Sequence, residues 1–291
     1  MAEKVVLYEK EGNIGRITLN RPEKLNAWDF PGQGGLTDQF YEMLKVPEAD
    51  DDVKVIIIKA AGRAFSSGHD LTTVGFIYGM GTGKPGERRA SQRVRYRMDR
   101  KWLVGGHMSL LYSPKITIAQ VQGQCIGEGL ALAMCCDIAI AADDAQLGHT
   151  EQRLGFSGTG IGTIPLLMLS VGVKRGRELL LSGRKVSGTE AAAMGMVSKS
   201  VPPDKLEEEV ENYAKAVCLL PRDGLAIGKA FTELVYDTMG ITHGFVSGYI
   251  GHTAFTNLRW EEDEYNFFKE RRDKGVKTGF HGRDDRFTGL V

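Results

Sequence analysis

Apolar and polar positions alternate along the first sixty residues with the period of short strands. In "KVVLYEKEGNIGRITLNRP" two β-branched runs flank a turn, which predicts a β-hairpin, and "DDVKVIIIKAAG" reads as a buried strand ending in a Gly turn. Between them "GGLTDQFYEMLKV" carries helical spacing. A second strand, "KITIAQVQG", leads into a glycine turn, and "CDIAIAADDAQLG" supplies further strand. Strands that alternate with helices predict an α/β layered fold rather than a sandwich. From about Val171 the texture changes. "GVKRGRELLLSG", "SGTEAAAMGM" and "DKLEEEVENYAKAVCLL" are amphipathic, with Ser/Thr/Asp-type starts and few strand signals, so the back third is expected to be helical.

The stretch "YGMGTGKPGERRASQRVRYRMDRKWLVGGH" divides into a Gly/Pro half, read as loop, and an Arg-rich half compatible with a helix. Seven basic residues fall between Arg88 and Lys101. A solvated helix face is favoured there over a phosphate-binding patch. The chain shows no internal repeat and no low-complexity tract.

Two places share one grammar. "KAAGRAFSSGHDL" is a strand followed by a small-residue turn, and "AQVQGQCIGEGLALA" is a strand, a glycine turn and a helix too apolar to face water. In both, backbone N–H groups at the turn lack partners, and at a helix N-terminus the dipole adds to their attraction for negative charge. Two such donors converging on one carbonyl oxygen form an oxyanion hole. Either turn alone is common; the ordered pair, about sixty residues apart, is far more specific.

Composition narrows the partners. The 291 residues are 42% hydrophobic and 25% charged, ordinary for a globular protein with room for a real active site. Lys+Arg and Asp+Glu both total 37, so no global field draws the chain to nucleic acid or to an anionic membrane. The charged start "MAEKVVLYEKEGN" has no signal-peptide core, no apolar run is long enough to span a bilayer, and a cytoplasmic location is expected. Cys125, Cys135, Cys136 and Cys218 form no CxxC pair and have no histidines at zinc spacing, so reduced core thiols are expected and no metal site. A nucleotide-binding Rossmann turn is disfavoured, because "GQCIGEGLA" lacks the G-x-G-x-x-G spacing.

With these motifs in hand the chain resembles the crotonase (enoyl-CoA hydratase/isomerase) superfamily. The resemblance runs from "ITLNRPEKLNAW" through "GRAFSSGHDL", "GQCIGEGLALAMCCDIAIAADDAQLGHTEQRLG" and "LLLSGRKVSGTEAAAMGMVSKSVP" to "FFKERRDKG" and "RDDRF", nearly the whole length. It implies an α/β fold: a crotonase-like ββα spiral core over residues 1–205, with 75–107 as a variable acyl-pocket segment, and a helical C-terminal trimerisation region over 206–291. It also implies an acyl-CoA substrate, no cofactor beyond the coenzyme A of that substrate, and a homotrimer or dimer of trimers.

Position by position, the resemblance assigns the two oxyanion N–H groups to His69 and Glu128. The family usually has Gly at the second place, so Glu128 is a departure. A two-glutamate hydratase carries one acid where this chain has Ala131, and the second matches Glu151, the expected proton-transfer residue, with its carboxyl raised by a dry pocket. Lys24, Leu25 and Ala27 match the adenine-pocket segment, Ser67 and Gly68 belong to the same acyl-CoA site, and Lys269 or Lys274 of a neighbouring subunit is expected to meet the phosphates. His149, Trp102 and Tyr78 are candidates for acyl contact, although aromatic residues at such spacing are more often packing. Asp70 is expected to hold its turn rather than to react.

A lone glutamate favours isomerisation or another single-shuttle reaction. Hydroxycinnamoyl-CoA hydratase-lyases share that pattern and also use a C-terminal tyrosine, for which Tyr236 and Tyr249 are candidates. A catalytically silent acyl-CoA-binding oligomer is the alternative of a different class. Glu128 stands three residues before Ala131 and is a candidate replacement for the missing acid. The length of 75–107 points to a cyclic or aromatic acyl group.

Overall fold

The computed structural model describes residues 4–30, 32–72, 91–155, 163–254 and 261–290. The expected hairpin is present: β1 (Val6–Glu11) and β2 (Ile14–Leu19) pair antiparallel. β2 then pairs parallel with β3 (Val55–Ala60), which pairs with β4 (Ile116–Val121), then β6 (Ile138–Ala142), then β9 (Lys199–Val201). The result is a six-stranded sheet in the order β1-β2-β3-β4-β6-β9. Parallel strands are covered on both faces and so read as continuous apolar runs, which is why Val55 to Ile58 are all buried.

A second sheet of three short strands, β5 (Gln124–Ile126), β7 (Gln146–Gly148) and β8 (Val186–Ser187), lies alongside. Consecutive passes of the chain add one strand to each sheet: β4 with β5, β6 with β7, and β8 with β9. The helix Glu128–Cys135 follows β5, and Gly188–Met194 follows β8. This two-strands-and-a-helix repeat brings the glycine turns of successive passes to one edge.

The helix Glu128–Cys135 buries seven of its eight residues, which explains its composition. Its far end is tied down by Asp137, whose Oδ2 accepts from the Thr117 N–H (2.7 Å), the Thr117 hydroxyl (2.9 Å) and the Lys229 ammonium (2.8 Å). The helix Leu206–Cys218 lays Leu206, Val210 and Ala214, spaced four apart, into the same core as the large sheet.

Some local expectations are corrected. Of the three helices expected to start on Ser/Thr/Asp caps, only Gly188–Met194 does, through Ser187; Val173–Ser182 and Leu206–Cys218 start on Gly172 and Lys205. The Arg-rich stretch is helical over Gln92–Asp99 and continues as π-helical turns over Arg100–His107. It is not simply a solvated face: Arg93, Arg97 and Arg100 are exposed, but Arg95 and Asp99 are 1% and 2% exposed and paired with each other. The rest of the 75–107 segment up to Ala90, with Tyr78, Arg88 and Arg89, lies outside the described residues. No helix among the described residues is long and apolar enough to cross a membrane.

Candidate active site

The segment Arg21–Trp28 anchors the first turn. Asn26, fully buried and in the left-handed region (φ 52°), accepts from the Arg21 N–H at 2.8 Å and donates to the carbonyls of Ala61 (2.9 Å) and Ala64 (2.8 Å). The Ser66 hydroxyl donates to the Asn26 carbonyl at 2.8 Å and accepts from the Gly68 N–H at 3.1 Å. Trp28 pairs with both flanks of His69: its N–H donates to the Gly68 carbonyl and its carbonyl accepts from Asp70, each at 2.8 Å. That pairing turns the His69 N–H away from Trp28, and it has no acceptor among the described residues.

The second turn is built against the first. Ile126 N–H donates to Ser66 O (3.0 Å) and Gly127 N–H to Gly148 O (2.9 Å), so the next donor, Glu128 N–H at the helix start, is left without an acceptor among the described residues. A β-carbon on Gly68 (φ +85°) would lie 2.8 Å from the Ile126 carbonyl oxygen and 3.6 Å from the Glu128 nitrogen, so the two open donors belong to turns in contact. Gly127 (φ +54°) is similarly constrained, because a β-carbon there would lie 2.5 Å from Glu151 Oε1. Glu151 itself starts a single 3-10 turn, Glu151–Leu154.

These groups line one cleft of about 500 Å³. It gathers Lys24, Leu25, Ala27, Ser67, Gly68, His69, Glu128 and Glu151, all named from the sequence, together with Ala131 and Trp102. Lys269 and Lys274 do not line it within this chain; Lys274 pairs with Glu270 at 3.2 Å. Val276, Phe280 and Arg283 of the helix Val276–Asp285 line it instead. Sequence reading missed these three, although their spacing of four and three puts them on one helix face. It also missed His107 and His252, for which no local signal exists. His149 is buried and does not line it, and neither do Tyr236, which packs against Tyr112, and Tyr249, which packs against Tyr96 and Trp102.

Electrostatics correct one expectation. Burial pushes the Glu151 carboxyl up and is the largest single influence, but His149, the local backbone and His69 together hold it below the ordinary glutamate value. His149 Nδ1 lies 3.6 Å from Glu151 Oε2, a separation at which charge rather than an aligned hydrogen bond acts. Burial pulls the His69 imidazole down; the ring lies between Phe30 (centroids 5.5 Å, stacked) and Trp102 (4.3 Å, edge-on). Asp70 accepts from the Thr72 N–H and hydroxyl and pairs with Arg21 at 3.2 Å, holding the turn as expected. Burial pushes the Cys125 thiol far up, which fits an inert core residue. Among the described residues no group of three or more His, Cys, Asp or Glu is arranged to hold a metal.

The Glu128 side chain lines the cleft rather than turning away from it. Only 6% exposed, it accepts the Trp102 indole N–H at Oε1 (2.9 Å), and His107 Nε2 lies 2.9 Å from the same oxygen.

Comparison with known proteins agrees with the frame of turns and sheets. The family model described as enoyl-CoA hydratase/isomerase matches residues 9–235. A probable enoyl-CoA hydratase of Rhizobium meliloti is 32% identical over 220 residues, 75% of this chain and 76% of the relative. The probable enoyl-CoA hydratase echA8 of Mycobacterium bovis is 28% identical over 272 residues, covering 93% and 97%. The crystal structure of an enoyl-CoA hydratase/isomerase from Xanthobacter autotrophicus Py2 superposes with a TM-score of 0.81 at 30% identity, covering 97% of this chain and 98% of that one. The chain belongs to the enoyl-CoA hydratase/isomerase family, and its fold is the α/β crotonase spiral expected from the motifs.

Proposed function

We propose that the protein acts on an acyl-CoA thioester through an enolate held by the His69 and Glu128 N–H groups, with Glu151 moving the proton. The observation that carries this reading is the pair of backbone donors left open on touching turns, beside a carboxylate whose Oε1 would lie 2.5 Å from a β-carbon on Gly127. As negative charge develops on the thioester oxygen, preorganised donors stabilise it more than they stabilise the ground-state carbonyl. Glu151, held ionised, removes or returns a proton at the carbon next to the thioester. Lys24 and Arg283, with Leu25 and Ala27, supply the cleft with cations for phosphates and an apolar seat for a base.

Ala131 occupies the place of the usual second acid and Glu151 is the carboxylate beside the open donors, which favours isomerisation or another single-shuttle reaction over hydration. A lyase reaction gains no support from Tyr236 or Tyr249, neither of which lines the cleft. Self-association is part of the proposal. The helix Arg222–Thr238 leaves Ile227, Phe231, Leu234 and Val235 at least half exposed on one face, which suits burial against copies of the chain, as a trimer or dimer of trimers requires.

The test is mass spectrometry of enoyl-CoA, aryl-propenoyl-CoA and alicyclic enoyl-CoA thioesters in heavy water, with wild type and Glu151→Gln side by side. Gain of water marks hydration, deuterium without water marks isomerisation or enolate exchange, and a shortened ester marks cleavage. Unchanged and undeuterated thioesters throughout would make the silent acyl-CoA-binding oligomer the better account.

A further inference from the structure

Beyond the two turns, the cleft is lined by Trp102, His107, Glu128 and His252, all at least nine-tenths buried. Behind them His252 Nδ1 lies 3.0 Å from Asp99 Oδ1 and 2.9 Å from Arg95 Nη2, and Arg95 pairs with Asp99 at 2.9 Å. A wall of buried carboxylate, imidazole and indole is an unfavourable neighbour for a hydrocarbon tail, which removes water from polar groups and returns no hydrogen bond.

The wall also specifies what it lacks. Glu128 Oε1 is engaged by the Trp102 N–H and faces His107 Nε2, leaving Oε2 as the oxygen open to a ligand. The 2.9 Å contact with His107 is not an aligned hydrogen bond, and both ring nitrogens of His107 are buried without a hydrogen-bond partner among the described residues. A carboxylate oxygen therefore stands in the cleft wall with lone pairs that call for a donor.

The geometry points to an acyl group that carries a hydroxyl, whose O–H donates to Glu128 Oε2, in place of a plain hydrocarbon chain. This rests on the acyl-CoA reading above and narrows its substrate class. A site that hydrogen-bonds a substrate hydroxyl rejects the analogue without one far more strongly than an apolar pocket discriminates by size, because its own polar groups are then left unpaired.

Isothermal titration calorimetry with hexanoyl-CoA and its isomers hydroxylated at carbons 4 to 6 tests this with esters that need not react. At least one isomer is expected to bind wild type about tenfold or more tightly than hexanoyl-CoA. The preference is expected to vanish in Glu128→Met and to weaken in Glu128→Gln, which keeps the packing and the backbone N–H but not the charge. Hexanoyl-CoA binding as tightly as every isomer, or a preference that survives Glu128→Met, overturns the proposal and leaves the acyl-CoA reading standing. Failure of every ester to bind overturns both. If a variant does not fold, the wild-type pair decides alone.

Discussion

The two walls of the cleft are made differently. One is backbone: the Gly68–His69 and Gly127–Glu128 turns present N–H groups fixed by Trp28, Ser66 and Gly148. The other is side chain: Trp102 and His107 from the π-helical turns meet Glu128, and Arg95 and Asp99 meet His252 of the helix Ile241–Ala254. On the proposed reading, the difference teaches that the charge-stabilising device sits on sheet-derived turns and the ligand-selecting device on packed helices. Substitutions in the first wall should chiefly change rate, and those deep in the second should chiefly change stability.

Glu151→Gln is expected to have the largest effect, a fall in turnover of roughly 10²–10⁴-fold with the melting temperature little changed, read by steady-state kinetics and calorimetry. Asp99→Asn should do the reverse. It removes the carboxylate that pairs with Arg95, 1% exposed, at 2.9 Å, at a cost of about 3–5 kcal/mol measured by urea unfolding. An Asp99→Asn protein as stable as wild type would break the contrast between the walls. Gly127→Ala comes next: a β-carbon 2.5 Å from Glu151 Oε1 and a positive φ should displace both the carboxylate and the Glu128 N–H, lowering kcat by roughly 10²-fold, the effect of losing one oxyanion donor.

The smallest effect is on pH dependence. The Glu151 carboxyl is held below its ordinary value, so it stays ionised until the pH falls through that lowered value, and any stability its ionisation contributes is lost over the same acid window. The acid limb of kcat/KM should therefore lie below the ordinary glutamate range. His149→Gln removes the principal downward influence and leaves burial opposed by the local backbone and His69 alone, so the limb should move to higher pH. A limb that stays in place would show that His149 does not set the Glu151 charge.

The first wall was legible in the sequence because its information is local. "SSGHDL" and "IGEGLALA" each hold, within a few residues, the glycine that permits the turn and the donor that follows it. Asp70 was legible for the same reason, as an Asp bonding amides two residues on. The second wall was not. Arg95 and His252 are 157 residues apart, and no periodicity marks either as buried; charge patterning pointed to solvent for Arg95, where an Asp one helical turn away and a distant histidine made burial tolerable. The direction of the Glu151 shift was misjudged because burial was foreseen and the placing of His149 beside it was not.

Sequence alone thus determined the hairpin and the longer buried strands, the helical texture of the back part, the family, the two turns and the carboxylate beside them, since hydrophobic period and glycine position act over a few residues; the short strands Gln124–Ile126, Val186–Ser187 and Lys199–Val201 escaped it. Tertiary structure alone decided which helix closes the cleft, which way Glu128 points and which charges are buried together. Those outcomes depend on side chains from distant segments competing for the same volume and the same protons, and such competition leaves no mark on local spacing.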